Sequence, residues 1–319
     1  MSVYASAFYS NAVYPENAVF ISAAIIGYGQ WSDVVAVSSV GRPMYDFYGY
    51  EVEGVYTSFD DILSSPVNTL YAQSAVQAED GTWQHVTDPT KYSKNNTVWP
   101  GDLKFKDVNK DGIIDESDKT TIGSPLPKFT FGFTNTFTYK GFDLSIFING
   151  SYGNKVMNYT SIPLTSMTST WNNQIQEKIA DRAQLAPIDA NKIYDDGSAW
   201  YNDITNVRVT NPGTKTPRVA LGNGYNQNIS SRYIEDGSYI RLKNISLGYT
   251  FPKSITNKLY LENLRVYCNL QNVLTITGYD GYDPEIGAST TDANGYVFGL
   301  DNGRYPSPFT CTFGLNISF

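Results

Sequence analysis

The last ten residues, Thr310 to Phe319, constrain this chain more than any other segment. Cys311, Phe313, Leu315, Ile317 and Phe319 fall on one face, and Thr310, Thr312, Gly314, Asn316 and Ser318 on the other. Strand side chains alternate with period two, so this is a strand with one greasy face and one small-polar face. About ten residues is the length that crosses a bilayer as a tilted strand. The closing strand of a membrane β-barrel has this form. So does a half-buried strand of a soluble sheet, and the rest of the chain has to decide between them.

Composition favours the barrel. Aromatic residues make up 14% of the 319 positions, led by 25 Tyr, while charged residues are only 17%. An ordinary soluble domain carries about a quarter charged residues. Aromatic bands, polar loops and few charges suit an all-β membrane protein. A formal net charge of −8 argues against nucleic-acid binding. His85 is the single histidine, which leaves almost no material for zinc sites or histidine catalysis. Cys268 and Cys311 both sit within apolar alternation, and they read as small lipid-facing or core residues, not as a disulfide. No apolar run reaches the roughly eighteen residues that a membrane helix needs. The most apolar stretch, Ala18 to Tyr28, has neither the basic start nor the cleavage site of a signal peptide. A barrel must be exported, so the expectation is that this chain is the back part of something longer.

The strands come in pairs. Phe129 to Tyr139 places Phe129, Phe131, Phe133, Phe137 and Tyr139 on one face and threonines with Gly132 on the other. Lys140-Gly141 reads as a tight hairpin turn. Phe142 to Tyr152 follows, with Phe142, Leu144, Ile146 and Ile148 outward and Phe147 an inward exception. A polar segment of roughly 153 to 237 leads to a strand from Ser238 to Phe251, whose start is interrupted by Lys243, Asn244 and Ser246. A short connection, Pro252 to Asn263, leads to a strand from Leu264 to Leu274, and a loop of about thirty residues leads to the closing strand. Short turns alternate with long loops, as in outer-membrane barrels, whereas a soluble sandwich turns every 8–12 residues or so. The predicted fold is therefore all-β, with antiparallel transmembrane strands and long loops. The 140–141 and 252–263 turns would be periplasmic, and the 153–237 and 275–305 loops would face outward.

One loop has metal-ligand spacing. Asp107-Val108-Asn109-Lys110-Asp111-Gly112-Ile113-Ile114-Asp115-Glu116-Ser117-Asp118 offers side-chain oxygens from Asp107, Asn109, Asp111, Asp115 and Asp118 and the backbone carbonyl of Ile113. Gly112 sits where a calcium loop turns sharply. Asp118 stands where an EF-hand has a bidentate Glu, so the loop is closer to the dockerin type. Ca²⁺ is the candidate cofactor, in a structural role. The plainer reading is a turn-rich loop whose Asn and Asp serve local backbone hydrogen bonds.

Gly101 to Gly112, Ile122 to Phe129, and the hairpin on to Tyr152-Gly153-Asn154 resemble segments of the SusC/RagA family of TonB-dependent outer-membrane transporters of Bacteroidetes. Gly41-Arg42-Pro43, Phe47-Tyr48-Gly49-Tyr50, Glu53-Gly54-Val55-Tyr56, Glu235 to Ile245, Gly281-Tyr282-Asp283-Pro284-Glu285 and Gly314 to Phe319 follow in the family's order. The resemblance runs from about residue 18 to the end and is weak at 60–100 and 155–230. Residues 1–17 match no motif and stay an unassigned start, with 18–319 as the C-terminal portion of the barrel. The resemblance implies a 22-stranded barrel, a SusD-like surface lipoprotein as lid, contact with outer-membrane lipid, and TonB-driven import of oligosaccharides or oligopeptides. It implies no enzyme activity. Plug and TonB box are not among the matched segments, so coupling to the TonB complex is expected through a missing N-terminal part.

Cargo contacts are sought in the 153–237 loop. Trp171, Trp200 and Tyr201, with Tyr194 and Tyr225, lie there beside Asn172, Asn173, Asp195 and Asp196. Aromatic faces with amide neighbours suit sugar rings. The simpler reading has these rings packing the loop itself or touching the lid. Two other classes fit less well. A secreted glycan hydrolase needs two placed carboxylates, and none sits in a recognisable setting. A secreted calcium-binding, glycan-binding or adhesion module would need a second calcium loop. Strands cut from a larger barrel leave unpaired edges that hydrocarbon does not tolerate. The isolated chain is therefore expected neither to insert nor to transport. A heat-modifiable, liposome-inserted species made from this chain alone would contradict that expectation.

Overall fold

The structure is a computed structural model that describes residues 2–9, 22–28, 31–39, 41–71, 73–168, 173–222, 224–290 and 296–319. The fold is all-β. Its main element is a six-stranded antiparallel sheet of β1 (Ser2–Tyr9), β2 (Phe129–Tyr139), β3 (Phe142–Tyr152), β4 (Tyr239–Thr250), β5 (Asn263–Thr277) and β6 (Thr310–Ser318), adjacent in that order. Strands β2 and β3 have the bounds their alternation predicts, and β5 runs three residues further, to Thr277. Strand β1 comes from the start that matched no motif, and it pairs with β2 from Ser2↔Thr136 to Tyr9↔Phe129.

Register keeps the two faces separate across the sheet. Directly paired residues share a face. Phe133 pairs with Ile148, Phe137 with Leu144, Leu144 with Leu247, Leu247 with Cys268 and Cys268 with Phe313. On the other face Thr136 pairs with Ser145, Ser145 with Ser246, Ser246 with Asn269 and Asn269 with Thr312. A slip by one residue would exchange the faces of a whole strand. The interruption at Lys243 is a β-bulge: Phe147 pairs with Asn244, but Ile148 pairs with Leu242. The extra residue lets Lys243 share the polar face with Arg241, since both reach Glu285. Phe147 is on the polar face, opposite Thr134.

Aromatic residues mark both ends of the apolar face. Phe129 and Tyr152 have ring centroids 5.3 Å apart at one end. Phe142 and Tyr249, 4.5 Å apart, mark the other, where Tyr249 also meets Phe251 at 5.0 Å. Ten residue steps separate Phe129 from Tyr139. At about 3.3 Å per residue and a tilt of about 40°, that is a band about 25 Å tall, the height of a barrel's apolar belt.

The sheet has short turns at one end and a folded head at the other. Lys140 and Gly141, with φ of 48° and 88°, close the β2–β3 hairpin between the Tyr139↔Phe142 pair. Positive φ at both positions matches the right-handed twist of the strands. The β4–β5 connection, expected as a plain turn, holds a helical turn at Lys253–Thr256 and a 3-10 turn at Asn257–Leu259. At the opposite end, the long loops and the segment before Phe129 build smaller sheets. A four-stranded one joins Thr120–Gly123, Asp46–Gly49, Trp31–Ser38 and Ser22–Tyr28, and a three-stranded one joins Ile234–Asp236, Lys155–Asn158 and Leu300–Asp301. The hydrophobic core lies in this head. Tyr50, Tyr56, Trp99, Phe105 and Tyr225 are buried together, and Val35, Phe47, Met157 and Leu300 form a second cluster. Among the described residues, no hydrophobic side chain in β2 to β6 is fully buried.

Gly248 shows how the polar face is organised. Arg265 on β5 reaches over β4 to Asp143 on β3, with Nη2–Oδ2 at 2.6 Å and Nε–Oδ1 at 3.0 Å. A Cβ on Gly248 would collide with both partners. Replacing Gly248 with Leu is expected to break this bridge and to destabilise the sheet by about 1–3 kcal/mol, the usual cost of overpacking. The readout is a lower urea midpoint of unfolding in detergent, with Gly248→Ala between the variant and the wild type.

Candidate functional site

The aromatic residues proposed for cargo do not gather into one platform. Tyr225 is buried in the head core, donates to the Leu103 carbonyl at 2.9 Å and accepts from Asn68 Nδ2 at 2.7 Å. Tyr194 donates to Asp203 at 3.1 Å and accepts from Asn206 at 2.9 Å, which fixes its hydroxyl within the loop. Trp200 packs against the core and meets Tyr201 edge-on at 5.7 Å. Tyr201 alone of these four is well exposed, at 44%. The ammonium of Lys94 sits 4.5 Å from its ring centroid and donates to Asn202 at 3.0 Å. Trp171 and Asn172 lie outside the described residues.

A cavity that sequence reasoning missed opens beside the head core. It has a volume of about 520 Å³, and its walls include Tyr159, Ile162, Pro163 and Leu164 with the amides of Gln227 and Asn228. Among the described residues, none that lines it is charged. Its walls come from positions 159–164, 224–229 and 302, which no local pattern in the sequence connects.

Two buried ion pairs tie the head together. Asp102, in the Gly101-Asp102-Leu103 motif, meets Arg218 from the 153–237 loop with Nε–Oδ1 at 2.8 Å. Asp102 also accepts from the Trp99 amide and Asn226 Nδ2, each at 2.9 Å. Burial pushes the Asp102 carboxyl up, against the pull of Arg218 and Asn226. The second pair joins the Tyr282-Asp283-Pro284-Glu285 motif to β4. Arg241 bonds Asp283 through Nη2 at 2.5 Å, Glu285 through Nη1 at 2.6 Å and Thr275 through Nε at 2.8 Å. Lys243 adds a contact to Glu285 at 2.8 Å. This latch holds Asp283 and Glu285, with Ser307 bonded to Asp283, against the polar face. Both motifs were visible in the sequence, but their partnership was not.

The Asp107–Asp118 loop closes on itself. Asp107 accepts from the Lys110 and Gly112 amides at 2.6 and 2.9 Å, and Asp111 from the Ile113 amide at 2.8 Å. Asn109 accepts from the Asp111 amide at 3.0 Å, and Asp115 from the Ser117 amide at 2.7 Å. Asp118, fully buried, accepts from the Val108 and Asp115 amides at 2.8 and 2.9 Å. Ile113 pairs with Val67 in a short parallel ladder. Among the described residues no three acidic, histidine or cysteine side chains converge as a metal cage. In this fold the loop oxygens serve backbone amides.

No family model matches the chain. Curated relatives do. TonB-dependent receptor P3 of Formosa agariphila is 33% identical over 281 residues, which is 88% of this chain and 22% of that protein. The chain belongs with the SusC-type TonB-dependent receptors over the part it spans. TonB-dependent receptor SusC of Bacteroides thetaiotaomicron is 28% identical over 222 residues, 69% of this chain and 18% of its own length. The chain thus spans about a quarter of the curated relatives it matches. Among solved structures, the RagAB peptide transporter superposes with a TM-score of 0.54 at 19% identity, covering 89% of this chain and 24% of that one. The open-open state of the RagAB peptide importer gives 0.52 at 17% identity, covering 99% and 28%. At that identity the likeness speaks for the fold, the strands of a SusC/RagA-type barrel with its head.

The latch carries a pH prediction. Burial raises the Asp283 carboxyl, but the Ser307 and Glu285 amides and Arg241 outweigh it and hold the group at about 2, below the usual 3.8. A depressed carboxylate stabilises the fold above its unfolded value and loses that contribution as pH falls through the folded one. Nearly two pH units amount to about 2 kcal/mol. The 278–309 loop is expected to resist exchange of its amide hydrogens at pH 5 and to lose that protection between about pH 4 and pH 2. In Asp283→Asn, protection should be lower at pH 5 and should change little over that range.

Proposed function

We propose that this chain serves import across the bacterial outer membrane, as part of the barrel and outer head of a TonB-dependent receptor that works with a SusD-like surface lipoprotein. The observation that carries this reading is the two-faced sheet. Its apolar face has the height of a barrel's apolar belt, its polar face runs through every strand pair from β2 to β6, and among the described residues a packed head stands at one end only. The polar face would line the path of the cargo. The head would form its mouth and meet the lipoprotein. Coupling to the TonB complex would pass through parts of the receptor beyond this span.

The cargo in this reading is an oligosaccharide or an oligopeptide. Tyr201, with Lys94 over its ring, offers an exposed aromatic face. The cavity offers apolar walls and the amides of Gln227, Asn228 and Asn302 to a neutral group. Calcium belongs to the reading only through the donor order of Asp107, Asn109, Asp111, Ile113, Asp115 and Asp118. To hold the ion, Asp118 would have to turn from the amides of Val108 and Asp115. No catalytic step is assigned to any residue.

The test is made in the producing organism. A tag in an exposed loop of the receptor that carries this chain should recover a surface lipoprotein from detergent-solubilised outer membranes. Deleting the gene should abolish growth on one glycan or peptide source and leave growth on its monomers intact. Recovery of the chain in the culture medium, without a lipoprotein partner, would overturn the proposal in favour of a secreted binding module. For calcium, a melting temperature that rises with Ca²⁺ in the wild type but not in Asp107→Ala supports the site, and equal melting with Ca²⁺ and with EGTA rejects it.

A further inference from the structure

Positive charge gathers at the short-turn end of a chain whose formal net charge is −8. A cavity of about 680 Å³ lies there, between the β2–β3 turn and the β4–β5 connection. Lys140, Lys253 and Glu262 line it beside Tyr249 and Phe251, whose rings end the apolar face. Lys253 donates to the Glu262 carbonyl at 2.7 Å, which holds its ammonium beside the cavity. The Lys140 ammonium stands 5.2 Å from the centroid of the Tyr139 ring. Lys258 follows on the same connection. The other charged side chains of 139–143 and 250–265, Asp143 and Arg265, bond each other. Three lysines therefore stand against one carboxylate, Glu262.

We propose that this end binds one glycerophospholipid. Its phosphate lies between Lys140 and Lys253, its ethanolamine ammonium at Glu262, and its acyl chains along the apolar face from Tyr249 and Phe251. The inference rests on the membrane reading above, which sets this end in the periplasmic leaflet of the outer membrane, where the lipids are glycerophospholipids.

The chemistry of the site matches both parts of such a lipid. A headgroup needs charge and the chains need hydrocarbon, and the cavity joins its lysines to the end of the apolar face. Lysine stems can follow apolar surface while their ammonium groups reach the phosphate level. The connection has the same dual character. Ile255, Leu259 and Tyr260 are 42%, 54% and 92% exposed beside Lys253 and Lys258. Exposed apolar and basic side chains in one short segment suit the boundary between headgroups and acyl chains. Glu262 selects among headgroups. Its carboxylate repels a phosphate but pairs with the ammonium of ethanolamine, which a glycerol headgroup lacks.

The test uses the whole receptor that carries this chain, purified in detergent from outer membranes, with native mass spectrometry as readout. One added phosphatidylethanolamine should stay on the wild type after loosely held lipid has been stripped. The double variant Lys140→Gln with Lys253→Gln should bind it about tenfold more weakly, since each lysine near a lipid phosphate contributes a several-fold gain. Lys91→Gln with Lys215→Gln removes the same charge from exposed sites in the head and should bind as the wild type does. Glu262→Gln should narrow the preference for phosphatidylethanolamine over phosphatidylglycerol. Glycerophosphoethanolamine, the same headgroup without acyl chains, should not compete on the wild type, and this arm needs no variant. Competition by it would assign the cavity to a free phosphate ester and overturn the lipid. Equal binding by the wild type and the Lys140/Lys253 variant, with the receptor recovered from the outer membrane, would overturn this proposal alone. Recovery of the receptor outside the membrane fraction would overturn the membrane reading and this proposal with it.

Discussion

A peptide group in hydrocarbon has no water to bond, so a strand that crosses a bilayer must satisfy its backbone against neighbouring strands. Everything else in this molecule follows from meeting that demand with a sequence of period two. Strands β2 to β6 pair along almost their whole length, and except at Asn135 and Phe147 the pairing places apolar residues beside apolar ones and polar beside polar. In the proposed setting the sheet is a wall between two solvents, one oily and one aqueous. Its side chains have no core to fill, which is why aromatic rings such as Phe142 and Phe313 stay exposed.

The same demand explains where the packing is. A wall with solvent on both faces gains little from burial, so the conventional hydrophobic core is displaced into the loops. Tyr50 stacks on Phe105 at 4.8 Å, Phe105 meets Tyr225 at 5.2 Å and Tyr225 stacks on Tyr71 at 5.0 Å. Long loops held only by such rings could still move relative to the wall. The Arg218–Asp102 pair fastens loop to loop, and the Arg241–Asp283–Glu285 group fastens loop to wall. Removing one partner from a buried pair leaves a charge without compensation, at about 3–5 kcal/mol. These pairs fasten the head to itself and to the polar face of the sheet.

What could be read in the sequence follows the range of the physics involved. Alternation is local, so Phe129–Tyr139 and Phe142–Tyr152 were legible to the residue, as was the Lys140-Gly141 turn. The bulge at Lys243 showed only as a broken pattern, because its cause is Glu285 on a distant loop. Strand β1 was missed because eight residues of mixed character carry no motif, and its place is set by pairing with β2. The 153–237 part of the head was read as a polar segment because the core joins rings as distant as Phe105 and Tyr225. Tyr225 was considered as a cargo contact for the same reason, since an isolated tyrosine in a loop gives no sign of being buried. The Asp107–Asp118 loop was legible as a turn, and its donor order holds the same residues whether they serve amides or an ion.

The central claim is that alternate residues of one strand face lipid and water. In an otherwise cysteine-free protein, a nitroxide label is placed at Phe313→Cys and, separately, at Thr312→Cys, within outer membranes of the producing organism. Collision with oxygen, which concentrates in lipid, and with a water-soluble nickel chelate is then measured for each label. The account predicts oxygen-dominated relaxation at 313 and nickel-dominated relaxation at 312. Nickel-dominated relaxation at both positions would contradict it, since the apolar face would then not meet a bilayer.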